Sequence, residues 1–71
     1  MEIGVLIERT DTGYSAYSPD LPGCVAAGET IDETKRLMRE AIDLYISEIR
    51  LSGTPLPKSS TVAFEVFKIA V

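Results

Sequence analysis

The chain has no histidine and no tryptophan, and it has a single cysteine, Cys24. It therefore cannot form a disulfide within one chain or the usual zinc site of cysteines and histidines. Its thiol and hydroxyl groups also lack the imidazole that most often activates a nucleophile. We expect no catalysis, no cofactor and no metal, and we interpret Cys24 as a buried small side chain rather than as a nucleophile.

Basic residues and long apolar runs are also scarce. Seven Lys and Arg residues face eleven Asp and Glu residues, which gives a net charge of −4 at pH 7. This charge opposes binding to the phosphates of nucleic acid and favours a basic protein partner. No apolar run approaches the roughly 20 residues that cross a bilayer, and the N-terminus lacks a signal-peptide pattern. These features predict a cytoplasmic protein that contacts neither membrane nor DNA directly.

The length of 71 residues is about half the usual span of a single domain, so we expect one domain. Its 45% hydrophobic and 25% charged residues are typical of an ordinary folded protein. A domain of this size buries only about 60% of the surface that its unfolded chain exposes. Because no disulfide framework compensates for such a thin core, self-association would supply the missing burial. We expect a homo-oligomer, either a dimer or a tetramer.

The first half of the chain predicts three short strands. Residues 2–9 alternate between apolar and polar positions, with Ile3, Val5 and Ile7 on one side. Turn residues follow at 10–13, and residues 14–18 predict a second strand that pairs with the first as a hairpin. Pro22 and Gly23 suit a type II turn over residues 21–24, and a third strand is predicted over residues 24–28.

A long amphipathic helix follows. Thr30 is a good N-cap, and Glu33 completes the pattern of a capping box, so the helix should begin near Ile31. Gly53 and Pro55 should end it near Leu51 or Ser52. The apolar face is predicted from helical spacing to contain Ile31, Thr34, Met38, Ala41, Ile42, Tyr45 and Ile49.

Residues 61–69 alternate again and predict a fourth strand. The order β-β-β-α-β indicates an α+β fold in which one helix covers one face of a four-stranded mixed sheet. A right-handed crossover would place the fourth strand parallel to the first, giving the strand order 3-2-1-4. The other sheet face and the free strand edges would then be available for association.

Few residues suggest a site. Asp20 lies between two prolines, where it could form an Asx-turn with nearby amides or contact a partner. Tyr14 and Tyr17 should point to opposite faces of the sheet, and an exposed tyrosine could anchor an interface instead of packing in the core. The other acidic residues are spread along the strands and the helix, which indicates a solvated surface rather than a metal-dependent nuclease.

The segment Gly13-Tyr14-Ser15-Ala16-Tyr17-Ser18-Pro19-Asp20-Leu21-Pro22-Gly23-Cys24, followed by Gly28-Glu29-Thr30 and an acidic helix, resembles the HicB-like antitoxin family. The resemblance covers nearly the whole chain, from Met1 to Val71. It implies a degraded ribonuclease H-like fold without the catalytic carboxylates. It also implies that the chain binds a HicA-like toxin, a small basic mRNA interferase with a catalytic histidine, and occludes its active surface.

Longer members of that family continue into a DNA-binding segment, whereas here we expect a single HicB-like domain over residues 1–71 and no C-terminal DNA-binding domain. Operator binding would then require another chain. The predicted partner-binding residues are Tyr17, Asp20, Leu21, Glu40 and Asp43. The alternative functions are a stand-alone homo-oligomeric scaffold or a small-ligand-binding domain without a toxin partner, and a residual metal-dependent nuclease.

Overall fold

A computed structural model of the chain describes residues 1–70. The elements are β1 (Leu6–Arg9), β2 (Tyr14–Tyr17), β3 (Val25–Gly28) and α1 (Ile31–Ser52). The strands form one antiparallel sheet in the order β1-β2-β3, and α1 packs against β2 and β3. The predicted α+β class and the three N-terminal strands followed by one helix are therefore confirmed.

Cross-strand pairing determines which side chains face the helix. Ile7 pairs with Ala16, and Ala16 pairs with Ala26, so these three side chains lie in one row. Ala16 is buried in the core, with Ile7 and Ala26 packed against it. Because successive side chains of a strand point to opposite faces, the residues on either side of this row point away from α1.

Both predicted turns are present. The N–H of Thr10 donates to the carbonyl oxygen of Gly13 at 2.8 Å, which closes the hairpin between β1 and β2. The N–H of Cys24 donates to the carbonyl oxygen of Leu21 at 3.1 Å, and Gly23 has a φ of 83°. That positive φ is the reason for glycine at the third position of this turn.

The helix has the predicted boundaries. The Thr30 hydroxyl accepts a hydrogen bond from the N–H of Glu33 at 3.1 Å, and Gly53 ends the helix with a φ of 72°. The Glu33 carboxylate accepts from the N–H of Glu29 at 3.3 Å, one residue before the N-cap residue. Two backbone N–H groups at the start of α1 are thus satisfied by side chains, as capping requires.

The core is small. Its buried apolar residues are Ala16, Leu21, Cys24 and Met38. The partly buried residues packed against them are Ile3, Val5, Ile7, Ala26, Ala41, Ile42 and Tyr45. The prediction that Cys24 is buried is confirmed, and burial raises the pKa of its thiol, so the nucleophilic thiolate is disfavoured.

The predicted fourth strand is not formed. Residues 54–70 contain neither helix nor strand, so the order 3-2-1-4 and the mixed sheet are corrected to an antiparallel sheet of three strands within residues 1–70. Ser60 and Thr61 donate their N–H groups to the Asp20 carboxylate instead of to a neighbouring strand. Alternation indicates a segment with two different sides, but it does not provide the strand with which that segment must pair.

The N-cap provides a test of this fold. Replacing Thr30 with alanine removes the acceptor for the Glu33 N–H, and we expect the free energy of unfolding to fall by about 1 kcal/mol. Thr30→Ser keeps the hydroxyl and should retain most of the wild-type stability. Urea denaturation followed by circular dichroism measures both variants. Equal stability of Thr30→Ala and the wild type would contradict this account of the helix start.

Candidate functional site

One row of side chains crosses the sheet on the face that points away from α1. Leu6 pairs with Tyr17, and Tyr17 pairs with Val25. Leu6 is half-buried, whereas Tyr17 is 40% exposed and Val25 is 63% exposed. We call this row, together with the adjoining row of Glu8, Ser15 and Ala27, the open face. The row of Leu6, Tyr17 and Val25 is an apolar strip with one phenol at its centre.

The open face also has polar groups. Glu8 pairs with Ser15 on the adjoining strand and is exposed. Its negative charge, followed by partial desolvation, raises the pKa of Tyr17 above the ordinary value of 10.0. Like any phenol, Tyr17 is protonated at neutral pH and can donate a hydrogen bond to a bound molecule. Tyr14 points to the opposite side of the sheet from Tyr17, as alternation predicted.

Acidic charge is concentrated in the sheet half of the chain. Residues 1–30 contain five carboxylates and one arginine, whereas α1 contains five carboxylates and four basic side chains. Two of the helix carboxylates also pair with arginines one turn earlier: Glu40 with Arg36 at 3.3 Å, and Asp43 with Arg39 at 3.4 Å. The helix surface is therefore nearly neutral, and a basic partner would be attracted mainly to the sheet half.

Asp20 joins three separate parts of the chain. One carboxylate oxygen accepts the buried N–H of Gly4 at 2.7 Å. The other accepts the N–H of Ser60 at 3.0 Å, the N–H of Thr61 at 3.2 Å and the Thr61 hydroxyl at 3.0 Å. The hydrogen bonds from Gly4 and then Ser60 contribute most to lowering the pKa of Asp20 from 3.8 to about 2. Asp20 is therefore ionised at neutral pH and cross-links distant segments.

The arrangement around Asp20 differs from the predicted Asx-turn. The carboxylate bonds to residues 16 or more positions away, whereas within its own loop only the backbone N–H of Asp20 takes part, donating to the Ser18 hydroxyl at 3.1 Å. Only 5% of Asp20 is exposed, and Leu21 is completely buried. Within residues 1–70, both residues hold the loop in place and offer a partner almost no surface.

The five predicted binding residues do not form one surface. Tyr17 lies on the open face, Asp20 and Leu21 lie inside the loop, and Glu40 and Asp43 lie exposed on α1, on the other side of the sheet. Leu6, Glu8 and Val25 are not among the five predicted binding residues, although the uncovered sheet face to which Leu6 belongs was predicted as a surface for association. The alternation along β1 and β3 shows which of their residues share a face. The strand register is also needed to place these residues beside Tyr17.

A second apolar surface lies between the N-terminal segment and the helix. We call it the groove; Ile3, Val5 and Ile7 form one wall, and Met38, Ile42 and Ile46 of α1 form the other. It has a volume of about 490 Å³. Lys35, Arg39 and Asp43 lie at its rim. A concave apolar surface with a few charged groups at its edge suits an apolar occupant.

Two further observations concern cofactors and membranes. Within residues 1–70, no three of the Asp, Glu and Cys side chains come close enough to hold a metal ion. The helix of this part of the chain is too polar to cross a bilayer. Asp20, the carboxylate with the most hydrogen bonds, has its oxygens occupied by four donors from the protein itself.

Comparison with known proteins gives consistent matches. Residues 3–68 match the family model described as the HicB_like antitoxin of bacterial toxin-antitoxin systems. The chain is 41% identical to a UPF0150 protein of Helicobacter pylori strain J99 over 69% of this chain and 68% of that protein. It is 46% identical to a UPF0150 protein of Synechocystis sp. over 75% of this chain and 78% of that protein.

A solved structure is also similar. A chain of the HicA3 and HicB3 toxin-antitoxin complex superposes with a TM-score of 0.72 at 31% sequence identity. The similarity covers 86% of this chain and 72% of that chain. The match therefore includes the sheet and the helix together and not the helix alone.

The hydrogen bonds of Asp20 predict a pH dependence of stability. Because folding lowers the pKa of Asp20, its contribution to stability is complete above about pH 4 and is lost as the pH falls towards about 2. Asp20→Asn removes the charge and turns an amide NH₂ towards the N–H donors. We expect a lower denaturant midpoint at pH 7, and a difference from the wild type that shrinks between about pH 4 and about pH 2.

Asp43→Asn is the matched control, because Asp43 is exposed and has only one arginine partner on the same helix. Its denaturant midpoint should stay close to that of the wild type across the same pH range. Urea denaturation at a series of pH values measures all three proteins. An Asp20→Asn variant that parallels the wild type at every pH would show that the carboxylate charge does not stabilise the fold.

Proposed function

Because the chain belongs to the family of HicB-like antitoxins of bacterial toxin-antitoxin systems, we propose that it neutralises a HicA-type mRNA interferase by binding it and occluding its active surface. The similarity to a chain of the HicA3 and HicB3 complex supports this choice of partner. The proposed function is therefore that of a protein-binding antitoxin module.

The observation that carries this proposal is the apolar row on the open face. Tyr17 and Val25 present a phenol and a branched side chain to solvent side by side, and the half-buried Leu6 extends the same row. Tyrosine at the centre of an apolar strip is typical of the residues that contribute most to binding energy in protein interfaces. We propose that the toxin covers this row.

Charge supports the same orientation. The five carboxylates of residues 1–30 include Glu8 on the open face itself, whereas the carboxylates of α1 are nearly balanced by basic residues. A basic toxin would therefore approach the sheet half of the molecule first, and the attraction would increase the association rate at low salt. In this proposal Glu40 and Asp43 contribute to the general negative field and not to the contact.

The remaining expectations belong to the same proposal. The chain would act by binding rather than as an enzyme, in the cytoplasm, and without contacting operator DNA itself. Its three-stranded sheet and single helix would be the remnant of a ribonuclease H-like fold. No cofactor is needed for any of these steps, because the proposed activity consists of covering a surface of another protein.

Two residues with matched exposure test the binding face. Val25 on the open face is 63% exposed, and Leu44 on α1 is 62% exposed. Val25→Asp would place a charge inside the apolar row that the toxin covers, and because desolvating this charge costs free energy, we expect affinity to fall by about 100-fold or more. Leu44→Asp adds the same charge elsewhere and should leave affinity within about threefold of the wild type. Calorimetry with a small basic HicA-type protein measures both.

RNA cleavage by the toxin provides the functional readout. Wild type and Leu44→Asp should both inhibit cleavage, whereas Val25→Asp should require a far higher concentration. Binding by the wild type should also weaken as salt rises from about 0.05 to about 0.5 M, since screening shortens the reach of the acidic field. Equal loss of binding in the two variants, or in neither, would place the interface elsewhere.

A further inference from the structure

The last described residues form an exposed apolar segment. We call residues 65–70 the arm. Val66 is 93% exposed, Phe67 is 76% exposed and Ile69 is 73% exposed. Three large apolar side chains with this exposure in six residues are unusual for a surface that faces only water. The arm therefore has the composition of a segment that binds to another surface.

The root of the arm is held in place. Ser60 and Thr61 donate hydrogen bonds to the Asp20 carboxylate. Phe64 lies beside Gly4, where an added Cβ would come within 2.6 Å of its ring. Residues 61–64 therefore pack on the Gly4 side of the N-terminal segment. Ile3 and Val5 line the groove on the other side, and Ile3 also borders the small cavity beside residues 61–64.

The arm and the groove of one chain are thus on different sides of the N-terminal segment. Within the described part of the chain, no residue after Ile46 lines the groove. The groove has two apolar walls, one from the N-terminal segment and one from α1, and a volume of about 490 Å³. An apolar surface without an occupant and an apolar segment without a binding surface therefore exist in the same molecule.

We propose that two copies of this chain form a symmetric dimer in which the arm of each copy fills the groove of the other. Phe67 and Ile69 would insert between Ile3 and Val5 on one side and the helix on the other. The arm would lie along the free edge of β1, which is the outer strand of the sheet. Strand edges with unpaired backbone groups favour such additions.

Side-chain spacing, length and charge all favour the arm as the occupant. In an extended segment Glu65, Phe67 and Ile69 lie on one side, because side chains alternate. Six extended residues span about 20 Å, and the groove wall from Met1 to Ile7 consists of a similar number of residues. With Phe67 and Ile69 inserted, Glu65 would lie near the basic residues Lys35 and Arg39 at the rim.

The exchange is reciprocal, so the assembly ends at two copies. In a two-fold symmetric dimer both arms and both grooves are occupied, and neither is left to bind a third copy. The open face is not used, so a dimer could still bind another protein there. Each chain has a net charge of −4, and repulsion between the copies weakens as salt increases. Salt should therefore favour the dimer, in contrast to the binding of a basic partner.

The arm itself allows a test that leaves the fold intact, because its side chains are exposed. We expect Phe67→Ser combined with Ile69→Ser to raise the dimer dissociation constant by about 100-fold or more. The matched control combines Val62→Ser with Val66→Ser, since these side chains are at least as exposed but lie on the other side of the segment. Sedimentation equilibrium measures association, and circular dichroism measures folding.

The control and the open-face variant Val25→Asp should both remain dimeric. A wild-type chain that stays monomeric at its highest soluble concentration would overturn the proposal. Loss of the dimer in the control while the arm variant retains it would also overturn the proposal, because the wrong side of the segment would then be in contact.

Cross-linking identifies the chain that fills the groove. One protein with Ile69→Cys and another with Ile46→Cys are mixed and oxidised, with buried Cys24 left in place. A disulfide between the two different chains is expected. If a chain with both substitutions forms the bond only within itself at every concentration, the arm folds back onto its own groove, and the exchange between copies is wrong.

Discussion

The Asp20 carboxylate holds together parts of the chain that have no strand pairing with one another. Four donors from Gly4, Ser60 and Thr61 bind its two oxygens, and these residues belong to the segment before β1 and to the segment after the helix. An ionised group at so low an exposure is tolerated only because each oxygen is hydrogen-bonded. The positions of the groove wall and of the C-terminal segment both depend on this cluster.

The sheet separates two surfaces of different character. Its inner rows pack against α1 through small residues such as Ala16 and Ala26, which allow the helix to approach closely. The outer face keeps Tyr17 and Val25 in solvent, together with the charge of Glu8. The groove lies at the edge of the sheet, beside β1. The two proposed contacts, one with a partner protein and one with a second copy, therefore use different surfaces of the domain.

Sequence patterns predicted the local structure well, because its causes are local. Thr30 and Gly53 define the helix ends through contacts within a few residues, and Gly23 defines a turn by its own φ. The apolar sides of β1 and α1 follow from periodicity. The role of Asp20 was not predictable in this way, because its partners lie 16 to 41 positions away and two of them use only backbone N–H groups.

The predicted fourth strand shows the same limit, because its sequence pattern does not reveal which strand it would pair with. The alternation of residues 61–69 identifies a segment with an apolar side. A strand forms only when a second strand pairs with it, and the predicted order assumed that the first strand of the same chain would be that partner. Asp20 takes the first N–H groups of this segment, and the arm then extends past its own sheet with Phe67 and Ile69 exposed. A strand that pairs with a second chain would show the same alternation, although it has no partner strand in its own chain.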